Sequence, residues 1–191
     1  MDLVRRDRWG ARPPKGRPKE MATPVRHLFL HHSAGDDRGA DSVRSIQSFH
    51  QDVRGWADIG YTWLYSPSER KFYEGRGPGI RGAHTRGYNH VGHAVCVLGN
   101  YQVDMPAAHV VEDLAVWAEW HGATWGPGAY EPHRDYGQTA CPGKFLLELL
   151  PDINETAASI VLDEPHRSDD DEPHRSDDIG HWEWMVERGL L

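Results

Sequence analysis

Short apolar runs and helical spacings alternate along the chain. RHLFLHH at residues 26–32 is a short apolar run that predicts a β-strand, and SAGDDRG ends it. HAVCVLGNY at residues 93–101 is nearly continuous in apolar residues, which is typical of a strand buried on both faces. Between them, DIGYTWLYSPSERKFYEGR predicts two strands joined by a turn at residues 66–70.

Other segments have the spacing of amphipathic helices. In residues 41–55, Asp41 or Ser42 can cap a helix that Gly55 ends. Its predicted apolar stripe contains Val43, Ile46, Phe49 and Val53. A second helix is predicted at residues 108–126, with helical spacing of Val110, Leu114, Trp117 and Trp120 or His121. Helical segments around Pro151 are expected in residues 144–162.

Strands interspersed with helices predict an α/β or mixed three-layer domain. Residues 1–24 are basic, rich in Pro and Gly, and without periodicity, so we expect an irregular arm there. We place the end of the folded domain at residue 162, where the apolar pattern stops.

The carboxyl-terminal part has a different composition. DEPHRSDD occurs twice in succession, at residues 163–170 and 171–178, and contains none of the aliphatic, aromatic or sulfur-containing residues counted as hydrophobic. Such a stretch cannot bury surface, so residues 163–178 are predicted to be a flexible, self-repelling linker. IGHWEWMVERGLL at residues 179–191 is aromatic again but too short for a domain. It either docks on the folded domain or serves as a short recognition element.

Composition and charge exclude some functions. The 191 residues carry a net charge of −8, and no basic stripe runs through the folded segments, so we expect no nucleic-acid partner. No apolar run approaches the length of a membrane span, and MDLVRRDRWGARPP lacks the apolar region of a signal peptide. We therefore expect no membrane partner and synthesis in a cytoplasm without a signal peptide.

The two cysteines allow two interpretations. Cys96 and Cys141 can pair as one disulfide, as in an exported structural protein. We favour two free thiols in a reducing cytosol, with Cys96 buried in a strand and Cys141 bound to a metal ion.

A candidate metal site lies in EPHRDYGQTACPGKF at residues 131–145. His133 and Cys141 supply an imidazole and a thiolate, the ligand types that zinc prefers, and a catalytic zinc site needs three protein ligands. The third ligand is expected from His31 or His32. Their side chains leave a strand on opposite faces, so only one of them can reach the ion, and periodicity does not choose between them.

Five stretches in order resemble one family. They are RDRWGARPP, LFLHHSAG, GWADIGYTWLY, GAHTRGYNHVGHAVCVLGNY and HRDYGQTACPG. Together they resemble the zinc-dependent N-acetylmuramoyl-L-alanine amidases of the phage lysozyme and peptidoglycan recognition protein type, from about Arg5 to about Leu150. The resemblance implies a mixed central β-sheet flanked by helices, with residues 1–162 as the catalytic domain.

The resemblance also implies the zinc ligands, which are His31, His133 and Cys141. In that arrangement His32 is a packed or hydrogen-bonded neighbour. Tyr61 corresponds to the family's tyrosine near the zinc-bound water. 

Further residues follow from the same resemblance. Thr139 stands where some phage enzymes have lysine, and it offers a neutral hydroxyl donor in place of a cation. The implied contacts to substrate come from His84, Arg86 and Asn89 in the GAHTRGYNH loop.

The implied reaction is hydrolysis of the amide between N-acetylmuramic acid and the L-alanine of the stem peptide. We expect a monomeric phage endolysin, made in the host cytoplasm and acting on peptidoglycan in the cell wall. A cytosolic amidase that recycles wall fragments is a close alternative. A muropeptide-binding module without turnover is a second alternative, and loss of Cys141 would be its first sign.

Overall fold

Six strands form one mixed β-sheet in the computed structural model, which describes residues 2–160. In chain order they are β1 (Asp2–Val4), β2 (His27–His32), β3 (Trp63–Ser66), β4 (Lys71–Glu74), β5 (Gly92–Val97) and β6 (Tyr130–Pro132). The order across the sheet is β1-β4-β3-β5-β2-β6. Strands β3 and β4 are antiparallel, whereas β5 pairs in parallel with both β2 and β3. Every residue of β5 is buried, as predicted for a strand covered on both faces.

Four α-helices flank the sheet in the described part of the chain. They are α1 (Arg6–Trp9), α2 (Ala40–Ser48), α3 (His109–Trp125) and α4 (Lys144–Ser159). A π-helical turn, Phe49–Val53, continues α2, and a 3₁₀ turn, His133–Tyr136, follows β6. This architecture confirms the predicted α/β fold with a mixed central sheet flanked by helices.

The two faces of the sheet pack against different helices. Leu28 and Leu30 of β2 lie in the core that α3 and α4 cover, together with Trp117 of α3. Cys96 of β5 lies in the opposite core, with Val43 of α2 and Trp9 of α1. Because side chains alternate along a strand, the odd-numbered residues of β2 face the α2 side.

The amino-terminal arm is more regular than predicted. Residues 2–4 pair with β4 in register, and Arg6–Trp9 form α1, whose Trp9 is 1% exposed. The prediction of an irregular arm was wrong here because elements of three or four residues are too short to show a periodicity. Their structure depends on pairing with β4 and on burial of one indole.

The helix predicted at residues 41–55 changes its hydrogen-bonding pattern at Phe49. The wider turns of a π-helix rotate the later side chains away from the α-helical stripe. Phe49 and Val53 are therefore 45% and 71% exposed, and the prediction that they belong to the buried stripe was wrong. The predicted cap was also wrong, because Gly39 occupies the N-cap position without a side-chain hydrogen bond.

Helix α4 runs through Pro151 as one element rather than as segments around it. Proline has no N–H, so the carbonyl of Leu147 loses its helical partner. No helix within residues 2–160 is both long and apolar enough to cross a membrane. The predicted linker at residues 163–178 and the terminal element at residues 179–191 lie outside the described residues.

Candidate metal centre

Three side chains from distant parts of the chain converge on the α2 side of the sheet. One donor atom each from His31, His133 and Cys141 lies within 4.8 Å of the other two. The Cys141 Sγ atom is 3.5 Å from His31 Nδ1, and the rings of His31 and His133 are 4.4 Å apart. The structure thus brings together the three predicted ligands, although they come from β2, the 3₁₀ turn and the loop before α4.

Strand β2 orients the two adjacent histidines differently. His31 shares a face with Cys96, its register partner on β5, and is 1% exposed. The ring of His32 points away from the three-donor group, and its Nδ1 accepts the backbone N–H of Tyr101 at 3.2 Å. The backbone N–H of His32 donates to Cys141 Sγ at 3.4 Å. His32 is therefore a hydrogen-bonded neighbour of the site.

Local hydrogen bonds hold the Cys141 loop. The N–H of Cys141 donates to Thr139 Oγ1 at 3.2 Å, and its carbonyl accepts the N–H of Arg134 at 2.9 Å. The loop then passes the backbone of Tyr101 at Gly143, where a Cβ atom would lie 2.4 Å from the Tyr101 carbonyl carbon. Only glycine allows this approach. The loop thereby presents the sulfur toward β2.

A chain of hydrogen bonds fixes the tautomer of His31. Its Nε2 lies 3.4 Å from Thr85 Oγ1, which lies 3.1 Å from His84 Nδ1. His84 Nε2 faces the carbonyl of Gly92 at 3.2 Å, so this nitrogen must carry the proton. Thr85 then donates to His84 Nδ1 and accepts from His31 Nε2, which leaves the lone pair of His31 Nδ1 directed at the other donors. Thr85 was not identified as a site residue from the sequence. Its position next to His84 was the only indication there of a role at the site.

The donor set suits a metal ion. Within residues 2–160, buried His133 Nδ1 has no hydrogen-bond partner, which is costly for a polar atom unless something else binds it. Donor atoms bound to one tetrahedral zinc ion lie about 3–4 Å apart, so the observed group needs little adjustment. Two imidazoles and one sulfur match the ligand types of catalytic zinc sites.

The protonation states agree with this fit. Burial, followed by the nearby imidazoles of His84 and His133, lowers the pKa of His31 well below its usual range. Burial also lowers the pKa of His133, so both rings are neutral near pH 7, as metal ligands must be. Burial raises the pKa of the Cys141 thiol to about 12. A cation bound among these donors would lower the pKa of Cys141 and favour the thiolate.

Both cysteines are free thiols, as predicted. Cys96 is buried on β5, and the alternative of a disulfide between Cys96 and Cys141 is not supported.

Tyr61 lies beside the three-donor group. Its ring centroid is 5.3 Å from that of His31 and 5.8 Å from that of His50. Burial, with the sulfurs of Cys96 and Cys141 adding to it, raises the pKa of the Tyr61 hydroxyl. The hydroxyl is therefore a proton donor at neutral pH. His50, which the sequence did not single out, accepts the N–H of Gly60 at 3.0 Å and so anchors the segment before Tyr61.

The remaining predicted residues have different environments. His84 is 9% exposed, and its ring lies 5.4 Å from that of His31. Asn89 Oδ1 accepts the N–H groups of His84 and Thr85, so this side chain shapes the loop. Arg86 is exposed and has no hydrogen-bond or ion-pair partner among residues 2–160. Thr139 is exposed, and its oxygen caps the Cys141 amide.

A cluster of aromatic side chains continues from the candidate metal centre along β2. The ring of Phe29 lies 5.7 Å from His84 and 4.9 Å from Tyr136. Tyr88 and Tyr136 meet edge to face at 4.7 Å. Trp63 and Trp117 lie elsewhere, since their rings pack at 5.4 Å in the core under α3, on the far side of the sheet.

Fold and site together define an α/β protein with three potential metal-binding donors on the α2 side of its sheet. No protein-family model matches the chain. It is 40% identical over 156 residues to the human protein named N-acetylmuramoyl-L-alanine amidase, covering 76% of this chain and 27% of that protein. It is 30% identical over 149 residues to peptidoglycan-recognition protein SC2 of Drosophila simulans, covering 74% of this chain and 80% of that protein.

A solved structure shows the same architecture. It is the ectodomain complex of peptidoglycan recognition proteins LCa and LCx bound to tracheal cytotoxin, with a TM-score of 0.72 and 27% sequence identity. The match covers 78% of this chain and 94% of that chain. The chain therefore belongs to the family of peptidoglycan-recognition proteins and N-acetylmuramoyl-L-alanine amidases. It spans only about a quarter of the length of the human amidase.

Proposed function

We propose that this protein is a zinc-dependent N-acetylmuramoyl-L-alanine amidase that cleaves peptidoglycan between N-acetylmuramic acid and the L-alanine of the stem peptide. The convergence of His31, His133 and Cys141 within 4.8 Å carries this proposal, because a binding module needs no such donor set. The 40% identity with a named amidase supports the same reaction.

Hydrolysis requires activation of both reactants, since an amide is a poor electrophile and neutral water is a poor nucleophile. Zinc held by His31, His133 and Cys141 would lower the pKa of a bound water and polarise the amide carbonyl. The chain's own contribution begins with orientation. Thr85 holds the His31 ring by its Nε2, and the Thr139 hydroxyl holds the loop that carries Cys141.

Tyr61 supplies a hydrogen-bond donor beside the ligands. Its ring centroid lies 5.3 Å from that of His31, so the phenol stands beside the proposed ligands. A preorganised donor of this kind stabilises the oxyanion that develops in the transition state, typically by about 3 kcal/mol. Thr139 is a second donor, since its hydroxyl accepts the Cys141 N–H and donates to no other group in the described part of the chain.

A pocket of about 310 Å³ supports an anionic stem peptide as ligand. Trp56 and Ala83 line it, and Arg17, Lys19 and Arg81 contribute side chains with no hydrogen-bond or ion-pair partner among residues 2–160. Trp56 stacks on His50 at 4.6 Å, which connects the pocket through Tyr61 to the metal centre. Free cations beside an apolar wall suit the carboxylates of a peptide.

The biological setting belongs to the same proposal. We place the catalytic domain at residues 1–162, the linker at 163–178 and the short terminal element at 179–191. A phage endolysin, monomeric and made in the host cytoplasm, fits the composition of the chain. A cytosolic recycling amidase would use the same site on soluble wall fragments.

The decisive experiment digests purified peptidoglycan with the zinc-loaded protein and analyses the products by mass. We expect release of intact stem peptides with a free amino-terminal alanine. New reducing ends on the sugars would show a glycosidase and would contradict the proposal.

Replacing Cys141 by Ser tests the ligand set. The variant should lose zinc and lose nearly all hydrolysis, because a neutral hydroxyl is a poor substitute for a thiolate ligand. A matched control is Cys96→Ser, which replaces the other cysteine, on β5 and outside the three-donor group, and should retain zinc. If the Cys141→Ser variant keeps both metal and activity, the proposed ligands are wrong. If the wild-type protein binds muropeptide and zinc without releasing peptide, the protein is a binding module.

A further inference from the structure

The pocket that Trp56 and Ala83 line carries an excess of positive charge, and we call it the cationic pocket. Five cationic side chains and one carboxylate line it, which are Arg6, Arg17, Lys19, Arg76, Arg81 and Asp58. Arg6 pairs with Asp58 at 2.8 Å, so these two side chains add no net charge. The pocket therefore offers a surplus of cations to a ligand.

Three of these cations are available for binding. The Arg76 guanidinium is held in place, because it donates to the backbone carbonyls of three residues. Arg17, Lys19 and Arg81 have no hydrogen-bond or ion-pair partner for their side chains among residues 2–160. Arg17 and Lys19 are also exposed. An anionic segment can therefore pair with them without breaking an existing contact.

The matching negative charge lies in the same chain. The 191 residues have a net charge of −8, and residues 163–178 account for −6 of it, with eight carboxylates and two arginines. This stretch contains no lysine and none of the residues counted as hydrophobic. Its attraction to another surface must therefore come mainly from charge, and the cationic pocket has the complementary sign.

Helix α4 directs the chain toward the edge of the sheet where the repeat must begin. The helix starts beside the end of β5, where the Phe145 N–H donates to the Tyr101 carbonyl at 3.1 Å. Further along it, the Asn154 side chain bonds both backbone groups of Tyr130, the first residue of β6. The helix continues to Ser159, about 7 Å beyond that level. It therefore runs antiparallel to β6 and ends past the amino ends of β2 and β6.

The cationic pocket lies at this same edge. Trp56 and Ala57 precede β3, which is parallel to β5, and Arg76 follows β4, which is antiparallel to β3. Three strand spacings separate β6 from β3, roughly 15 Å, and passing one layer of the domain adds about 10 Å. An extended chain covers this distance in about eight residues. The second copy of the repeat begins eleven residues after Ile160, so it can reach the pocket.

Further cations lie between the end of α4 and the pocket. Arg86 and Arg134 are exposed, and their side chains have no hydrogen-bond or ion-pair partner in the described part of the chain. They stand two positions from Tyr88 and Tyr136, whose rings contact Phe29 of β2. Strand β2 lies between β6 and β3 in the sheet. The first copy of the repeat therefore meets cations while it spans the distance.

We propose that residues 171–178, the second copy of the acidic repeat, bind in the cationic pocket of their own chain and compete there with the carboxylates of the stem peptide. The competition rests on the proposed function, which places the peptide in that pocket, whereas binding of the repeat does not. Because the charges are exposed, the contact is weak and sensitive to salt. It excludes dilute peptide and gives way to the many anionic peptides of a wall polymer.

Zero-length cross-linking of the 191-residue chain tests the contact itself. A carbodiimide joins a carboxylate to a lysine amine that touches it, and mass analysis of the digest locates the new amide. We expect a bond from Lys19 to a carboxylate of residues 171–178 at about 20 mM NaCl, lost at about 0.5 M NaCl. Lys71 and Lys144 are matched controls, because they begin β4 and α4 at the opposite edge of the sheet. They should give no such bond.

A charge variant tests the competition. D171N/E172Q/D177N/D178N removes the negative charge of the second copy and nearly preserves the shape of its side chains. Calorimetric titration with the free stem peptide should give a Kd about threefold lower than for the wild-type protein at about 20 mM NaCl, and an equal Kd at about 0.5 M NaCl.

Two control variants sharpen this comparison. D163N/E164Q/D169N/D170N changes the first copy in the same way and should lower the Kd by less than about 1.5-fold, since that copy mainly spans the distance. Arg175→Gln makes the second copy more acidic and should raise the Kd at low salt.

Several outcomes would overturn the proposal. These are no cross-link to Lys19 at low salt, equal yields at Lys71 and Lys144, or an unchanged Kd in the second-copy variant. A cross-link found only between two chains would assign the repeat to the pocket of a second copy. Failure of the amidase proposal gives a different result, because the Lys19 cross-link would still form while the protein released no stem peptide from peptidoglycan.

Discussion

At the scale of single residues, the orientation of one imidazole decides whether three donors can share an ion. His31 offers Nδ1 to the group because Thr85 accepts the proton on Nε2. The alternative tautomer would place a proton on Nδ1, toward Cys141, and leave no lone pair for a metal.

Replacing Thr85 by Val should therefore weaken zinc binding. Valine has nearly the same shape but cannot accept the His31 proton, and loss of such a partner typically costs about 10- to 100-fold in metal affinity. Competition with a chromogenic chelator measures the change. Thr85→Ser keeps the hydroxyl and should keep most of the affinity. Equal affinities of the Val variant and the wild-type protein would show that the relay through Thr85 does not set the tautomer.

At the scale of elements, a buried histidine pair joins β5 to α3. His93 Nδ1 and His121 Nε2 are 2.8 Å apart, and both residues are 0% exposed. His93 Nε2 also lies 3.0 Å from the carbonyl of Pro78, which ties in the loop before β5. Burial lowers the pKa of His93 to about 4 and that of His121 to about 3.

This pair makes stability depend on pH. Below about pH 6.5 the unfolded chain binds protons at both histidines while the folded chain does not, so the free energy of unfolding falls as the pH drops from about 6.5 toward 4. Each histidine should contribute a loss of about 2 kcal/mol at pH 5. Urea unfolding of the wild-type protein and of His93→Gln, at about pH 7.5 and about pH 5, measures this. Glutamine does not titrate, so the variant should lose less stability on acidification. An equal loss would contradict a neutral buried His93.

At the scale of the whole molecule, residues 2–160 contain both hydrophobic cores. Helices within the same range cover both faces of the sheet. The acidic repeat at residues 163–178 contains no aliphatic or aromatic residue that could extend either core.

We therefore expect a chain ending at Leu162 to fold and bind zinc like the 191-residue chain. Its thermal midpoint should differ by less than about 2 °C, since in a protein of this size 1 kcal/mol shifts the midpoint by about 2–4 °C. Differential scanning calorimetry gives the comparison, and a zinc assay on the same samples gives the control. A midpoint lowered by several degrees would show instead that residues 179–191 pack on the domain.

The spacing of hydrophobic residues predicted much of the fold, because burial of one face of a helix or strand makes hydrophobic residues recur at regular intervals. The apolar run at residues 93–101 marks β5, and the helical spacing from Val110 to His121 marks α3. It was insufficient for β1 and α1, which are too short to be periodic, and for the π-helical turn, which changes the period itself.

For the candidate site, the sequence alone determined the chemical types of the donors and showed that adjacent His31 and His32 must face opposite sides of a strand. The resemblance of five stretches to one family assigned His31, His133 and Cys141. Only the tertiary structure decided which face of β2 meets the Cys141 loop, that Thr85 orients His31, and that Tyr88 and Tyr136 cover Phe29. The reason is physical: periodicity relates a side chain to its own strand, whereas these contacts join residues 54 to 110 positions apart.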